Sequence, residues 1–358
     1  MLGHAHLLGS RHRPISRRRD MSTIQPRARR AALILTATAG VALAGCAGPP
    51  DSGDASSSTS GAASSSAAEY PVEVESCGHT STVKQAPTKA ITLNQGATEV
   101  MLALGLEDSM AGTAYLDDAV APRWKTAYES VPVLAKEYPS HEKILATDPD
   151  FVYASYGSAF EDKVAGTQAE LDADSVASYL SPFGCDDKAQ RPDPSFDAVW
   201  DEVDEVAEAF GVEDRAEQIR TDQQAVLEEV KDVAKGKTVL WYDGGTKTPN
   251  VGAGGGSPQV VMDAIGATNI FADLEGGWGE GSWEQVVEAD PDVIVLADAA
   301  WDSAKDKRAH LESDPALTKL NAVQDSAFIT VPFSETTAGV RLADGVASVA
   351  DQVEQLRR

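Results

Sequence analysis

Cysteine is nearly absent from this sequence: 358 residues contain three, at positions 46, 77 and 185. So few exclude a disulfide-dense scaffold and a cysteine-rich zinc module. Histidine is almost as scarce, and beyond residue 20 only His79, His141 and His310 occur, far apart and outside any HExxH spacing. A zinc or manganese site therefore lacks its ligand pattern, and no metal site is expected. Neither a GxSxG elbow nor a GxxxxGK[ST] phosphate loop is present. Basic residues are also short, with 30 Lys+Arg against 56 Asp+Glu and a net charge of -26. Eight of the arginines but only one aspartate fall in residues 1–45, so the remainder counts 22 against 55. Nucleic-acid binding needs cations to neutralise phosphates, and a body this acidic excludes it as a partner. Long apolar runs are missing as well: the stretch Ala31–Ala44 has 14 residues, too short to span a bilayer. A hydrophobic content of 42% excludes wholesale disorder.

What is present begins with that apolar stretch. Arg27, Arg29 and Arg30 precede it and Leu43-Ala44-Gly45-Cys46 ends it, the layout of an export signal. The LAGC sequence resembles the lipobox of bacterial lipoproteins, which implies lipidation of Cys46 after removal of residues 1–45, with Met21 as a plausible start. A plain secretory signal with a chance cysteine is the competing reading. Residues 46–68 are small and polar and read as a flexible tether. Lipid, tether and folded body together place the protein at the outer face of the cytoplasmic membrane, extracytoplasmic and anchored through acyl chains. Cys77 and Cys185 are then an even pair in an exported chain, which suggests one disulfide, with two separate buried thiols as the alternative.

From Glu69 onward, short apolar runs alternate with amphipathic ones, the pattern of an α/β protein with parallel-type sheets. Strands are expected at Ala90–Leu93, Met110–Thr113, Phe151–Ala154, Val176–Tyr179, Val239–Tyr242, Val293–Ala297 and Phe328–Val331. Between Asp214 and Lys235, apolar residues recur at helical spacing without Gly or Pro, predicting a 22-residue connector helix. This divides the body into an N-terminal lobe at 69–212, a connector at 213–236 and a C-terminal lobe at 237–358. An internal repeat supports two related lobes. HEKILATDPDFVYAS (141–155) aligns without gaps to WEQVVEADPDVIVLA (283–297), and TEVMLALGL (98–106) to QVVMDAIGA (259–267), in the same order. A ligand cleft is expected between the lobes.

These blocks, with APTKAITLNQGATEVMLALGLEDSMAGTAY near the start and VPFSETTAGVRLADG near the end, resemble the substrate-binding proteins of ABC importers for ferric siderophores, haem and cobalamin. The run LWYDGGTKTPNVGAGGG also resembles a subgroup proposed to carry a deazaflavin coenzyme precursor. The resemblance implies a non-enzymatic role: capture of a ferric siderophore or similar large chelate, without a resident cofactor, and delivery to a permease dimer with its ATPase. Cobalamin, haem and the deazaflavin precursor are alternative ligands, and a secreted enzyme on a two-lobed fold is the alternative from another class.

Tyr115, Tyr138, Tyr156 and Trp278 lie just beyond expected strands or in a Gly-rich loop, where aromatic faces suit flat, partly apolar ligands; ordinary packing is the competing role. By resemblance Arg341 is directed into the cleft, against the alternative of a surface salt bridge. Gly252–Gly256 lies ten residues past a strand, and Ser257 breaks GxGxxG, so it reads as a mobile loop at the cleft edge and not as a dinucleotide site. Glu142 and Glu284 each open a helix of the repeat, followed at plus two and plus three by apolar residues expected to face the sheet. Helix stabilisation by the macrodipole explains one such glutamate. The resemblance assigns the matched pair to docking on the two permease subunits.

Overall fold

The structure is a computed structural model that describes residues 69–299 and 301–357. The expected signal peptide, Cys46 and the tether fall outside those residues. The described chain opens with a hairpin, β1 (Val72–Ser76) and β2 (His79–Val83), which sequence reading missed. Its two-residue turn places Cys77 and Gly78 at φ 55° and 76°, the left-handed pair that a tight hairpin demands.

A five-stranded, wholly parallel sheet follows, built by strict alternation: β3 (Ala90–Leu93), α1 (Gln95–Ala103), β4 (Met110–Ala114), α2 (Lys125–Ser130), β5 (Val133–Ala135), α3 (His141–Leu145), β6 (Phe151–Ala154), α4 (Gln168–Ala173) and β7 (Ala177–Leu180). Its strand order is β5-β4-β3-β6-β7. Every residue of β3, β6 and β7 is buried, because helices cover both faces, and this is why these strands read as unbroken apolar runs. Ile91, Leu93, Val152 and Ala154 pack to one side, and Ala90, Phe151, Tyr153 and Tyr179 to the other.

Two helices, α5 (Phe196–Phe210) and α6 (Glu213–Val230), lead to the second half. The connector α6 is 18 residues long, shorter than the 22 expected, and spans about 27 Å. It stops without Gly or Pro: Asp232 turns left-handed at φ 63°, and the amide of Ala234 donates to the carbonyl of Ile265 at 2.8 Å. The break is thus set by a tertiary hydrogen bond that helical periodicity does not encode.

The second half comprises β8 (Thr238–Gly244), β9 (Asn250–Gly252), α7 (Ser257–Ala264), β10 (Thr268–Asn269), β11 (Trp278–Glu280), α8 (Trp283–Ala289), β12 (Val293–Asp298), α9 (Ala304–Ser313), α10 (Asn321–Gln324), β13 (Phe328–Pro332) and α11 (Leu342–Leu356). Strand order is β11-β9-β8-β12-β13, with β10 beside β8. The sheet is mixed: β8, β10, β12 and β13 run parallel, while β9 and β11 add an antiparallel edge that sequence reading did not find.

The sequence repeat has a matching structural basis. Asp150 accepts from the amides of Thr88 and Lys89 at 2.8 and 2.9 Å, pinning the start of β3 to β6. Asp292 accepts from the amide of Thr238 at 2.9 Å and from Lys237 Nζ at 3.0 Å, pinning β8 to β12. That Thr238 amide, foremost, holds the Asp292 carboxyl below the usual range. The first aspartate of each Asp-Pro-Asp triplet turns left-handed, Asp148 at φ 53° and Asp290 at φ 42°, a conformation aspartate tolerates better than most residues.

The two halves meet around Arg341, which is buried just ahead of α11. Its guanidinium donates to Ser334 Oγ at 2.6 Å and to Glu335 within its own half, and reaches Glu99 and the Ala119 carbonyl of the other half at 3.3 Å. Asp118 Oδ2 accepts from the Ser334 amide at 3.0 Å, and Arg123 pairs with Asp344 at 2.8 Å, adding two more links across the seam. Burial, above all, pushes the Glu99 carboxyl up to about 7, against the opposing pull of Arg341. A covalent tie, Cys77–Cys185, joins the hairpin turn to the loop after β7 across a separation of 108 residues.

Two predictions follow from these ties. Replacing both bridged cysteines by serine is expected to lower unfolding free energy by about 2–5 kcal/mol in chemical denaturation, because the unfolded chain regains its loop entropy. Glu99 binds more protons folded than unfolded, so its contribution to stability declines as pH rises from 4.5 to about 7. Glu99→Gln should flatten the stability–pH curve in that window relative to wild type; an unchanged slope in urea melts across that range would mean that Glu99 is ionised throughout.

Candidate functional site

In a parallel sheet the crevice forms at the carboxyl ends of the strands, where the order of strands reverses direction. In the first sheet that point lies between β3 and β6, since the chain adds β4 and β5 to one side of β3 before placing β6 and β7 on the other. A cavity of about 630 Å³ opens there, lined by Gln95 after β3 and Ser155 after β6. Asp243 at the end of β8 and Ser334 just past β13 close it from the second half. This volume is within the range of pockets that enclose a drug-sized or larger organic ligand.

Tyr156, Trp278 and Arg341 line the cavity. Tyr156 follows β6 with its side chain 42% exposed, and desolvation, then Asp117 and the neighbouring tyrosines, push its hydroxyl up to about 12. Trp278 stands on the opposite wall, on β11, in register with Gly252 of β9. Tyr115 and Tyr138 are not part of the lining. They pack edge to face on each other with ring centroids 4.6 Å apart, and Tyr138 donates to Asn94 Oδ1 at 3.1 Å. That bond occupies the Asn94 side chain, which therefore does not cap α1; Ser155 Oγ accepts from the Ala97 amide at 2.8 Å instead. The structure thus gathers all three tyrosines at one sheet end and turns one of them to the cavity.

Arg341 lines the cavity and is buried, with its terminal nitrogens bonded to Glu99, Glu335, Ser334 and the Ala119 carbonyl, while its Nε lies 3.5 Å from Asp344 without a hydrogen-bond partner among the described residues. The glycine run 252–256 does lie at the cleft edge, but as a stitched turn and not as a loose loop. Amides of Ala253, Gly254 and Gly255 donate to the carbonyls of Gly277, Leu274 and Gly276 at 3.0, 3.1 and 2.9 Å. A Cβ on Gly254 would stand 1.9 Å from the Ala272 carbonyl oxygen, and one on Gly256 2.2 Å from that of Gly277, so glycine here is demanded by close backbone approach. The repeated helices α1 and α7 both begin at the cavity wall, and neither carries an acidic residue in its first turn.

Several cavity residues were not foreseen. Lys188 and Arg191 come from the loop after β7, and Phe333 from the turn after β13. Trp301, itself 63% exposed, packs edge to face on Phe333 at 4.8 Å. Glu202 is fully buried at the cavity base, where desolvation raises its pKa and Tyr153 donates to it at 2.6 Å. Asp243 is likewise raised by burial and accepts from Asn250 Nδ2 at 2.8 Å. Two basic side chains in one short loop of so acidic a chain were the available signal for Lys188 and Arg191; nothing in the sequence marks Glu202. Among the described residues no cluster of histidine, cysteine and carboxylates is arranged to hold a metal ion.

Away from the cavity, Glu142 and Glu284 are both exposed in the first turns of α3 and α8, behind the capping serines Ser140 and Ser282. The residues at plus two, Ile144 and Val286, are fully buried as expected. At plus three the expectation fails, because α8 rotates Val287 outward to 42% exposure.

Residues 91–335 match the periplasmic binding protein family. Over 333 residues the chain is 26% identical to YvrC, an ABC transporter substrate-binding lipoprotein of Bacillus subtilis strain 168, covering 90% of this chain and 95% of that one. A periplasmic binding protein from Veillonella parvula DSM 2008 superposes with a TM-score of 0.67 at 29% identity, over 78% of this chain and 96% of its own. The ABC-type Fe3+-hydroxamate transport system protein of Saccharomonospora viridis DSM 43017 shares the fold at a TM-score of 0.63 and 23% identity, over 79% and 99% of the two chains. With its two sheets, intervening helix and cleft at the strand ends, this chain belongs to the periplasmic binding protein family of ABC importers.

Proposed function

We propose that the protein captures a ferric siderophore or comparably large chelate outside the cell membrane and hands it to an ABC permease and its ATPase. The carrying observation is the 630 Å³ cavity at the strand ends, with Tyr156 and Trp278 on walls from opposite halves. Aromatic faces on two sides fit a large, flat, partly apolar ligand, and burial of such a face between them is the main source of affinity. The Fe3+-hydroxamate relative gives the same class of ligand precedent on this fold. In this reading the site residues hold a ligand without acting on it, and three of the cavity carboxyls that burial raises, Glu99, Glu202 and Asp243, are bonded to internal partners. In this reading the chain is a carrier, held by a lipid on Cys46 and the tether behind it.

Delivery requires a surface that the permease recognises. Glu142 and Glu284 occupy equivalent places in the repeat and are both exposed, so they offer one carboxylate per half to a two-fold partner. Charge of this kind sets orientation and association rate and weakens with salt. The outward Val287, three residues from Glu284, adds an apolar contact to the same face.

Native mass spectrometry of the protein from its own host should show a retained iron chelate; a retained ligand without iron would overturn the chelate assignment. Against that retained ligand, Trp278→Ala and Tyr156→Ala should each weaken binding by about 1–3 kcal/mol with unchanged circular dichroism. Equal affinity in both variants would move the site elsewhere. A Glu142→Arg, Glu284→Arg double variant should bind ligand normally yet fail to support uptake or to stimulate the transporter's ATPase, and normal uptake would remove the docking assignment.

A further inference from the structure

Between β7 and α5 the chain runs from Ser181 to Ser195 without strand or α-helix, turning only in two short 3-10 turns, Pro182–Gly184 and Lys188–Gln190. Seven residues of this segment line the cavity, Phe183 and Pro192 among them, so a shift of the segment changes the cavity's shape. Its own bonding holds it loosely. Among the described residues, 182–194 make hydrogen bonds only with one another and with Ser181, and 186–191 are all exposed. A segment held this way opens at low free energy unless something outside it fixes it.

Two outside anchors do so. Phe183 packs against the apolar core of the second half. Cys185, buried, is bonded to Cys77 in the turn of the β1–β2 hairpin, whose Gly78 also lies against the Gln190 side chain. The hairpin is itself firmly seated. Ser81 Oγ accepts from the Ser178 amide of β7 and donates to Asp172 of α4, both at 3.0 Å, and the Glu75 amide donates to Glu205 of α5 at 3.1 Å. Val72, Val74 and Val83 are buried in the first half's core. Held from the hairpin, the segment presses on the turn that carries Tyr156. A Cβ on Gly184 would stand 2.0 Å from the Ser155 carbonyl oxygen and 3.0 Å from Tyr156 Cα, and one on Gly157 2.5 Å from the Asp186 carboxylate. The residues on either side of Cys185 thus abut those on either side of Tyr156.

We propose that the Cys77–Cys185 bridge is a positioning device for the cavity: it clamps residues 184–186 onto 155–157, fixes the wall that carries Tyr156, and gives the chain full ligand-binding strength only when the pair is oxidised. This rests on the reading of the cavity as a ligand site. Neither cysteine lines the cavity, so the clamp acts without touching a ligand. A wall already in place spares the ligand the cost of ordering it, and affinity rises through pre-organisation. The oxidation proceeds by thiol–disulfide exchange: the two thiols give up two electrons and two protons as the S–S bond forms, and the disulfide of an exchange partner takes them up to become a dithiol. Reducing conditions inside a cell keep such thiols free, so a chain not yet exported binds weakly, and the carrier becomes competent where it meets its ligand.

Hydrogen–deuterium exchange on the purified protein without ligand tests the clamp directly. Oxidised wild type, wild type reduced with a phosphine, and a Cys77→Ser, Cys185→Ser variant are compared at a temperature where circular dichroism shows all three folded. In 155–160 the Ser155 amide is bonded to the Leu93 carbonyl and the Ala159 amide to that of Tyr156. These amides should exchange about tenfold or more faster once the bridge is open, while those of β6 and α5 stay within about twofold. A bridge that only stabilises the lobe would leave 155–160 in step with β6, and that result overturns the proposal. Gly184→Ala keeps the bridge but drives the segment off the Ser155 carbonyl, so it should speed the same amides even if the serine variant does not fold; unchanged exchange there counts against the clamp equally. Calorimetry with a ferric trihydroxamate and a ferric tris-catecholate reads the consequence. A chelate that binds the oxidised protein should bind the reduced one about tenfold or more weakly and recover on reoxidation. Equal affinity in the two states overturns the proposal. Faster exchange at 155–160 with neither chelate bound in either state upholds the clamp and overturns the chelate reading.

Discussion

A parallel strand can be followed by another parallel strand only if the chain crosses back outside the sheet, and that constraint organises everything else in this molecule. Each crossover delivers the next strand in the same direction, so β3, β6, β8, β12 and β13 all release the chain at one edge of their sheets. At that edge the backbone must turn abruptly into a loop or helix, and the residues that turn it become the wall of the cavity. Gln95, Ser155, Asp243 and Ser334 are there for this reason. The two aspartate pins secure the opposite edge, where Asp150 and Asp292 fix strand starts by capturing amides. Stability and function are thus divided between the two ends of the same strands.

That division explains how much could be read from sequence. Strand cores buried on both faces leave an apolar signature, so Ala90–Leu93 and Phe151–Ala154 emerge at their observed limits, while the start at Val176 slips by one residue to Ala177. The Asp-Pro-Asp triplets were visible as a repeat, and the pins give them a physical purpose. Short edge strands such as β9 and β11 were invisible, because three residues rich in glycine carry no periodicity and are held by pairing alone. The stop of α6 at Val230 was missed for a similar reason: a carbonyl of Ile265, far along the chain, decides it.

The site was legible in part. Tyr156 and Trp278 could be placed near strand ends, and the structure turns both to the cavity. Tyr115 and Tyr138 share the same sequence logic but stack on each other, since the position of one ring behind another is settled by packing and not by spacing. Arg341 was expected to point at a ligand; four surrounding carboxylates, contributed by both halves, could not be inferred from its neighbours in sequence. Glycine-rich composition at 252–256 suggested looseness, whereas the reason for the glycines is that two backbones nearly touch.

Trp301 gives the molecule an optical property of its own. The indole is largely open to water, yet its edge-to-face neighbour Phe333 belongs to the cavity wall. Indole emission shifts to the blue when water leaves its surroundings. An occupant that reaches Phe333 would therefore change the surroundings of an indole it need not touch, as one that reaches Trp278 would by direct contact, so two of the chain's six tryptophans stand where filling the cavity would alter their emission.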